Sequence, residues 1–384
     1  MRERDGLLLP AFLRLRHLGR GDRGLVPALT NDDAPVAAPG SHGRSDEPGA
    51  AWRDALVVVG LASPFVLGVV ALTLGFYQIG VLDVMRSLLS PLVPEAAADV
   101  PEIARRLVLD VRLPRVLAAL LIGAGLAVTG VVFQGIFTNP LVDSGLLGVT
   151  AGAGFGAALV MLIGGGSVMI QVAAFAFGLL AVTLAFLGSR LYRTAPTIVL
   201  TLMGILIGSF FASLTSLLKY LADPLDTLPA ITFWLLGGLT GVSWRSVPLL
   251  LVLTVIGSVF FLLVRWRLNV LSMGDAEATA LGMNPQRMKV MLIVAATLVT
   301  AVAVSVGGVI GWVGLVIPHA ARMLVGPDHL RLVPMSLALG ASFLLTIDTV
   351  SRSLLPSEVP LGVLTGLIGV PLLIALLRRQ GTGW

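Results

Sequence analysis

The sequence predicts an all-α polytopic membrane protein, and three observations carry that prediction. Hydrophobic residues fill 56% of the 384 positions and charged ones only 12%, giving a mean hydropathy of +0.96, a balance foreign to soluble domains. Apolar runs of bilayer-crossing length recur from residue 55 almost to the carboxy-terminal end. The chain's 44 glycines and 22 prolines suit helices packed through small residues and broken in places, whereas a transmembrane barrel would show short alternating strands.

Taken in order, residues 1–52 differ from the rest. Arg2, Arg4, Arg14, Arg16, Arg20, Arg23 and Arg44 stand among Gly, Pro, Asp and Ala, a composition that predicts a basic cytoplasmic tail without a packed core. Residues 7–18 could give it a weak amphipathic contact with anionic membrane lipid. No cleaved leader is expected, because the first long apolar run begins only near Leu56. Residues 53–384 then form the transmembrane domain, with ten apolar segments at 55–76, 114–136, 145–163, 168–188, 196–220, 246–264, 289–307, 310–325, 332–351 and 361–377. Placing both termini in the cytoplasm puts most of the 26 basic residues inside, as the positive-inside bias requires. The exception is the first external loop, with Arg86, Arg105, Arg106, Arg112 and Arg115. Arg105 and Arg106 have Glu95, Asp99, Glu102 and Asp110 nearby to balance them.

The longest polar interruption after the tail and first loop is 265–289. Within it Ser272 and Asp275 have capping-box spacing, residues 275–281 are helix formers and Gly282 supplies a stop. A helix of about two turns, roughly 12 Å long, cannot cross a bilayer; it is a cytoplasmic projection suited to a soluble partner, or an ordinary basic loop. Two other stretches predict breaks: FTNPLVDSGLL at 137–147, where Asp143 or Ser144 can cap the next helix, and ADPLDTLPAITFWLLGGLTG at 222–241, a re-entrant or broken outer element. RLPRVLAALLIGAGLAVTGVVFQG and NPQRMKVMLIVAATLVTAVAVSVGG start similar blocks five spans apart, consistent with inverted repeats.

Catalytic chemistry is not encoded. Neither lysine, Lys219 or Lys289, sits in a phosphate-binding loop, so ATP would have to be hydrolysed elsewhere. With no cysteine there is no thiol chemistry, and His319 and His329 lack the partners a metal site needs. No catalytic or metal-ligating residue is assigned, and the formal charge of +5 reports orientation rather than nucleic-acid binding. Asp348, the one acid well inside a span, is a functional candidate on that ground, but it lies four residues before Arg352, a spacing that equally suits a structural ion pair. An ion-coupled secondary transporter should instead place charge at mid-membrane.

Five blocks in register, VRLPRVLAALLIGAGLAVTG, FQGIFTNPLVDSGLLGVTAGAGFGA, MGDAEATALGMN, GGVIGWVGLVIPHAARMLVGPDHLRLVP and LPSEVPLGVLTGLIGVPLLIALLRR, resemble the permease family of iron-siderophore, haem and cobalamin ABC importers. The resemblance implies a multi-pass subunit of the bacterial cytoplasmic membrane. It would pair with a second permease copy, be driven by two ATPase subunits that hold ATP and Mg, and receive substrate from an extracytoplasmic binding protein. It also implies alternating access for a ferric siderophore, with haem, cobalamin or a molybdate-type oxyanion as alternatives.

Carried over by position, the family's ATPase-coupling helix falls on Asp275, Ala276, Glu277, Ala280, Leu281 and Gly282. Its binding-protein docking arginines fall on Arg112, Arg115 and Arg352. The gate falls on residues 195–198, where Pro196 and Ile198 depart from the small polar pattern and Thr197 is the better candidate; Met203, Ser209, Thr365 and Gly369 would line the path.

Overall fold

The computed structural model describes residues 50–75, 77–191, 196–354 and 357–379. The expected tail at 1–52 lies almost wholly outside them. Among the described residues the regular structure is all helical: α1 (Ala50–Thr73), α2 (Val81–Leu89), α3 (Glu102–Arg106), α4 (Leu113–Phe137), α5 (Val149–Leu162), α6 (Ser167–Ser189), α7 (Pro196–Leu221), α8 (Thr227–Leu235), α9 (Val247–Met273), α10 (Asp275–Ala280), α11 (Pro285–Gly307), α12 (Val313–Val325), α13 (His329–Leu354) and α14 (Leu361–Arg379). A π-helical stretch, Leu107–Arg112, joins α3 to α4, so that Glu102–Phe137 runs as one rod. Seven helices among the described residues are long and apolar enough to cross a membrane, and three shorter apolar ones, Val149–Leu162, Val313–Val325 and Leu361–Leu376, stand at the other three expected segments.

The bundle is organised around α4. Most of α4 is buried, as is most of α11 and α13, whereas α1, α6, α7 and α9 bury only a third or less of their apolar windows. Those exposed faces carry Val, Leu, Ile and Phe, the surface that hydrocarbon or another membrane subunit covers. Glycine lets α4 meet its neighbours backbone to backbone: a Cβ on Gly123 would overlap the Gly340 carbonyl of α13, and one on Gly130 would overlap the Gly314 carbonyl of α12. Lipid tails are as apolar as leucine, so this close van der Waals approach holds the helices together in place of a hydrophobic drive. Gly130→Ala is therefore expected to cost about 1–3 kcal/mol, read as an earlier thermal unfolding midpoint by tryptophan fluorescence. An unchanged midpoint would mean that α12 can yield at no cost.

The structure corrects the expected end of the sixth segment. It does not stop at 264: α9 continues to Met273, carrying Arg265, Arg267 and Asn269 on regular helix. The expected capping box is also absent, since the Ser272 hydroxyl donates to Leu268 O inside α9 and α10 is preceded by Gly274 with no side-chain cap. Helix continuation gives Ser272 an acceptor one turn back, which competes with capping. The first expected break is capped as read, Asp143 accepting from the Gly145 N–H at the head of a 3-10 turn, Ser144–Leu147.

Candidate transport and docking sites

At one end of the bundle α10 projects between α9 and α11. Ala278 is its buried residue, and Asp275, Ala276, Glu277, Ala280, Leu281 and Gly282 are all exposed. The stop is a Schellman turn: Gly282, at φ 78°, donates to Thr279 O and Met283 donates to Ala278 O. One ion pair steadies its start, Lys289 Nζ to Asp275 at 2.7 Å. Leu281, 66% exposed, gives this short helix an apolar tip.

At the opposite end the arginines form a cluster. Arg112 donates to Leu72 O at 2.6 Å, to Thr73 O at 3.2 Å and to Tyr77 O, and Arg352 donates to Leu74 O at 2.8 Å and to Ala71 O. Ala71, Leu72 and Thr73 O are carbonyls that the end of α1 leaves without intrahelical partners, Leu74 and Tyr77 follow it in the chain, and a cation is the complement to that end of the helix dipole. Arg115 Nε donates to Asp348 Oδ1 at 3.0 Å and its Nη2 to the same oxygen at 2.9 Å, while Nη1 and Nη2 reach Glu358 at 2.7 and 2.9 Å.

The expected Asp348–Arg352 pair exists at 3.6 Å, but Arg115 is the stronger partner of that fully buried carboxylate. Arg112 and Arg352 are buried and Arg115 nearly so, so in this conformation all three guanidinium groups turn inward and meet partners within the chain. Arg105 and Arg106 both pair with Glu102, as their spacing suggested.

Glu358 joins this cluster to a second structure. It is exposed, accepts from Arg115 and also takes the Thr240 hydroxyl at 2.8 Å. The Arg115 hydrogen bonds, the largest influence, hold its carboxyl below the usual glutamate range, against a smaller upward push from burial. Thr240 belongs to the break after α8. There Gly238 donates to Gly307 O, Leu361 to Gly237 O and Gly362 to Leu236 O, while Gly237, Gly308 and Trp312 take positive φ. Non-helical backbone is tolerated at membrane depth when protein groups satisfy it in this way.

The expected path residues separate. Only the backbone of Thr197, in the first turn of α7, is described, and Ala195 lies outside the described residues. Met203 turns its sulfur toward Gly188 of α6, Thr365 is fully buried and donates to Gly362 O, and Gly369 faces Trp312 and Val316. Ser209 is exposed. With Ser213 and Ser216, which the sequence reading passed over, it makes a hydroxyl stripe on the exposed face of α7; each hydroxyl donates to the carbonyl four residues back. Their four- and three-residue spacing was the available signal. Among the described residues no group of three or more His, Asp or Glu could hold a metal ion.

Comparison with known proteins agrees with this architecture. The chain is 37% identical over 319 residues to the molybdate import system permease protein MolB of Haemophilus influenzae, covering 82% of this chain and 94% of that protein. It is 39% identical over 282 residues to the cobalamin import system permease protein BtuC of Halobacterium salinarum, covering 73% and 76%. A solved inward-facing structure, described as a transporter of metal-chelate ABC type, superposes with a TM-score of 0.76 at 35% identity over 85% of this chain and 99% of that one. The FecCD transport family matches residues 63–379, nearly all of the helical bundle, and the chain belongs to that family.

Proposed function

We propose that this chain is one of two identical membrane subunits of an ATP-driven importer, passing a ferric siderophore from an extracytoplasmic binding protein into a bacterial cytoplasm. The observation that carries the reading is α10: a short helix anchored by one buried alanine and by the Lys289–Asp275 ion pair, with Glu277 and Leu281 exposed toward a partner. An ATPase subunit that holds ATP and Mg would grip this helix, and closure of the ATPase pair would move it against the bundle. The paired permeases would then alternate between outward-open and inward-open states, with the Ser209 face of α7 toward the second copy and the path. Iron chelate as cargo is supported by the metal-chelate type of the superposing structure. Molybdate is the second reading, favoured by the extent of the match to MolB.

Reconstitution with the ATPase and binding protein in proteoliposomes tests this directly. ATP-dependent accumulation of a ferric siderophore is expected, and molybdate accumulation would select the second reading. Uptake that proceeds on an ion gradient with no ATPase present would overturn the proposal.

The docking role assigned to Arg112, Arg115 and Arg352 fits the structure by one route, exchange of an internal acceptor for a partner's carboxylate. Arg112 and Arg352 hold buried carbonyls, whereas Glu358 on Arg115 is exposed and is the acceptor that can leave. Glu358→Gln removes the competing charge while its amide oxygen can still accept from Thr240. Binding-protein affinity is expected to rise about threefold or more, less than a full charged hydrogen bond, by titration in nanodiscs. Unchanged or weaker docking would exclude exchange at Arg115.

A further inference from the structure

Beside α10, the facing ends of α9 and α11 enclose a groove of about 310 Å³, lined by Trp266, Arg267, Leu281, Met283, Arg287 and Met291 among others. It is the end of two exposed stripes. Along α9, Val252, Ile256, Val259, Leu263 and Trp266 are exposed at three- and four-residue intervals, and along α11 Met291 and Val294 are exposed, so both faces are apolar where hydrocarbon would lie. An aromatic ring ending such a stripe marks a membrane–water interface.

Charge appears at that level and is left over. Arg267 lies over the Trp266 ring at 5.4 Å, and among the described residues neither Arg267 nor Arg287 has a carboxylate partner, while neighbouring Lys289 takes Asp275 and Arg265 takes Leu330 O.

We propose that this groove seats one anionic phospholipid. Its phosphodiester lies between Arg267 and Arg287, whose planar donors match phosphate oxygens, and an acyl chain follows Leu263, Met291 and Val294. A zwitterionic headgroup brings its own cation toward two guanidinium groups, which selects against it. Free phosphate makes the same polar contacts and gains nothing from the apolar stripes, so the lipid holds more tightly.

The test is native mass spectrometry of the full chain released from mixed micelles of phosphatidylglycerol and phosphatidylcholine, with glycerol 3-phosphate as the soluble competitor. Phosphatidylglycerol is expected to be retained at least tenfold over phosphatidylcholine. Arg267→Gln with Arg287→Gln should bring the two lipids to parity, and Met291→Ser alone should lower retention at least threefold with both charges intact. Arg287 and Met291 are exposed and Arg267 is partly buried, and an unchanged tryptophan-monitored melt confirms the fold of each variant.

Equal retention of the two lipids by the wild-type chain overturns the proposal. So does displacement by millimolar glycerol 3-phosphate, which would make the groove a free-phosphate site. Loss of ATPase co-purification in the double variant with lipid retention unchanged would assign the groove to that protein instead.

Discussion

Arg115→Leu is expected to destabilise the folded chain by about 3–5 kcal/mol, the cost of leaving a buried charge without its partner. Asp348 is fully buried and takes two donors from Arg115, and the remaining cation, Arg352, is 3.6 Å away with other donors already on the end of α1. Arg352 Nε has no hydrogen-bond partner of its own and could close on Asp348, but it is one donor against the two that Arg115 supplies. The double variant Arg115→Leu with Asp348→Leu should recover most of the loss, because an apolar pair of similar volume removes both charges from a site that desolvates them. Glu358 then loses its arginine but faces solvent, where water serves it. Thermal and denaturant unfolding of the two variants in detergent, followed by tryptophan fluorescence, measures the difference. A single-variant loss below about 1 kcal/mol, the range of exposed ion pairs, would mean that water reaches Asp348 and that the cluster is no buried network.

That cluster also marks where the sequence stopped being informative. The apolar segments were legible because a bilayer fixes the length of what crosses it, and α10 was legible because its helix formers and its glycine stop are local in the chain. The direction of an arginine is not local. Arg112 and Arg352 turn inward because α1 ends beside them with carbonyls unsatisfied, and residues 40 and more than 270 positions apart had to be brought together first. Glu358 was invisible for the same reason: its two partners, Arg115 and Thr240, come from different parts of the chain.

Errors at helix ends had a different origin. Ser272 has the spacing of a cap, yet helix propagation past Arg265 gave it an acceptor inside α9. The path residues divided because α7 and α14 each have one face against the bundle, and spacing along a single helix cannot say which. Met203 and Gly369 fall on the packed side and Ser209 on the open one.

The largest functional effect is expected from Leu281→Asp. Leu281 is 66% exposed at the tip of α10, so the substitution removes little packing from the isolated chain, and its thermal midpoint should stay within a degree or two. If an ATPase groove closes over this tip, the lost burial of a leucine is worth about 1.5–3 kcal/mol, and desolvating the introduced carboxylate adds to that cost. Together these predict at least a hundredfold loss of ATPase affinity, seen as failed co-purification and absent ATP-dependent uptake. Ala278→Asp would give the same functional result for a different reason, since Ala278 is the buried foot of α10 and its replacement unseats the helix; that variant should also melt earlier. The pair separates contact from support. If Leu281→Asp still retains the ATPase at wild-type affinity, α10 is not its seat, and the exposed acids and leucine of this helix need another partner.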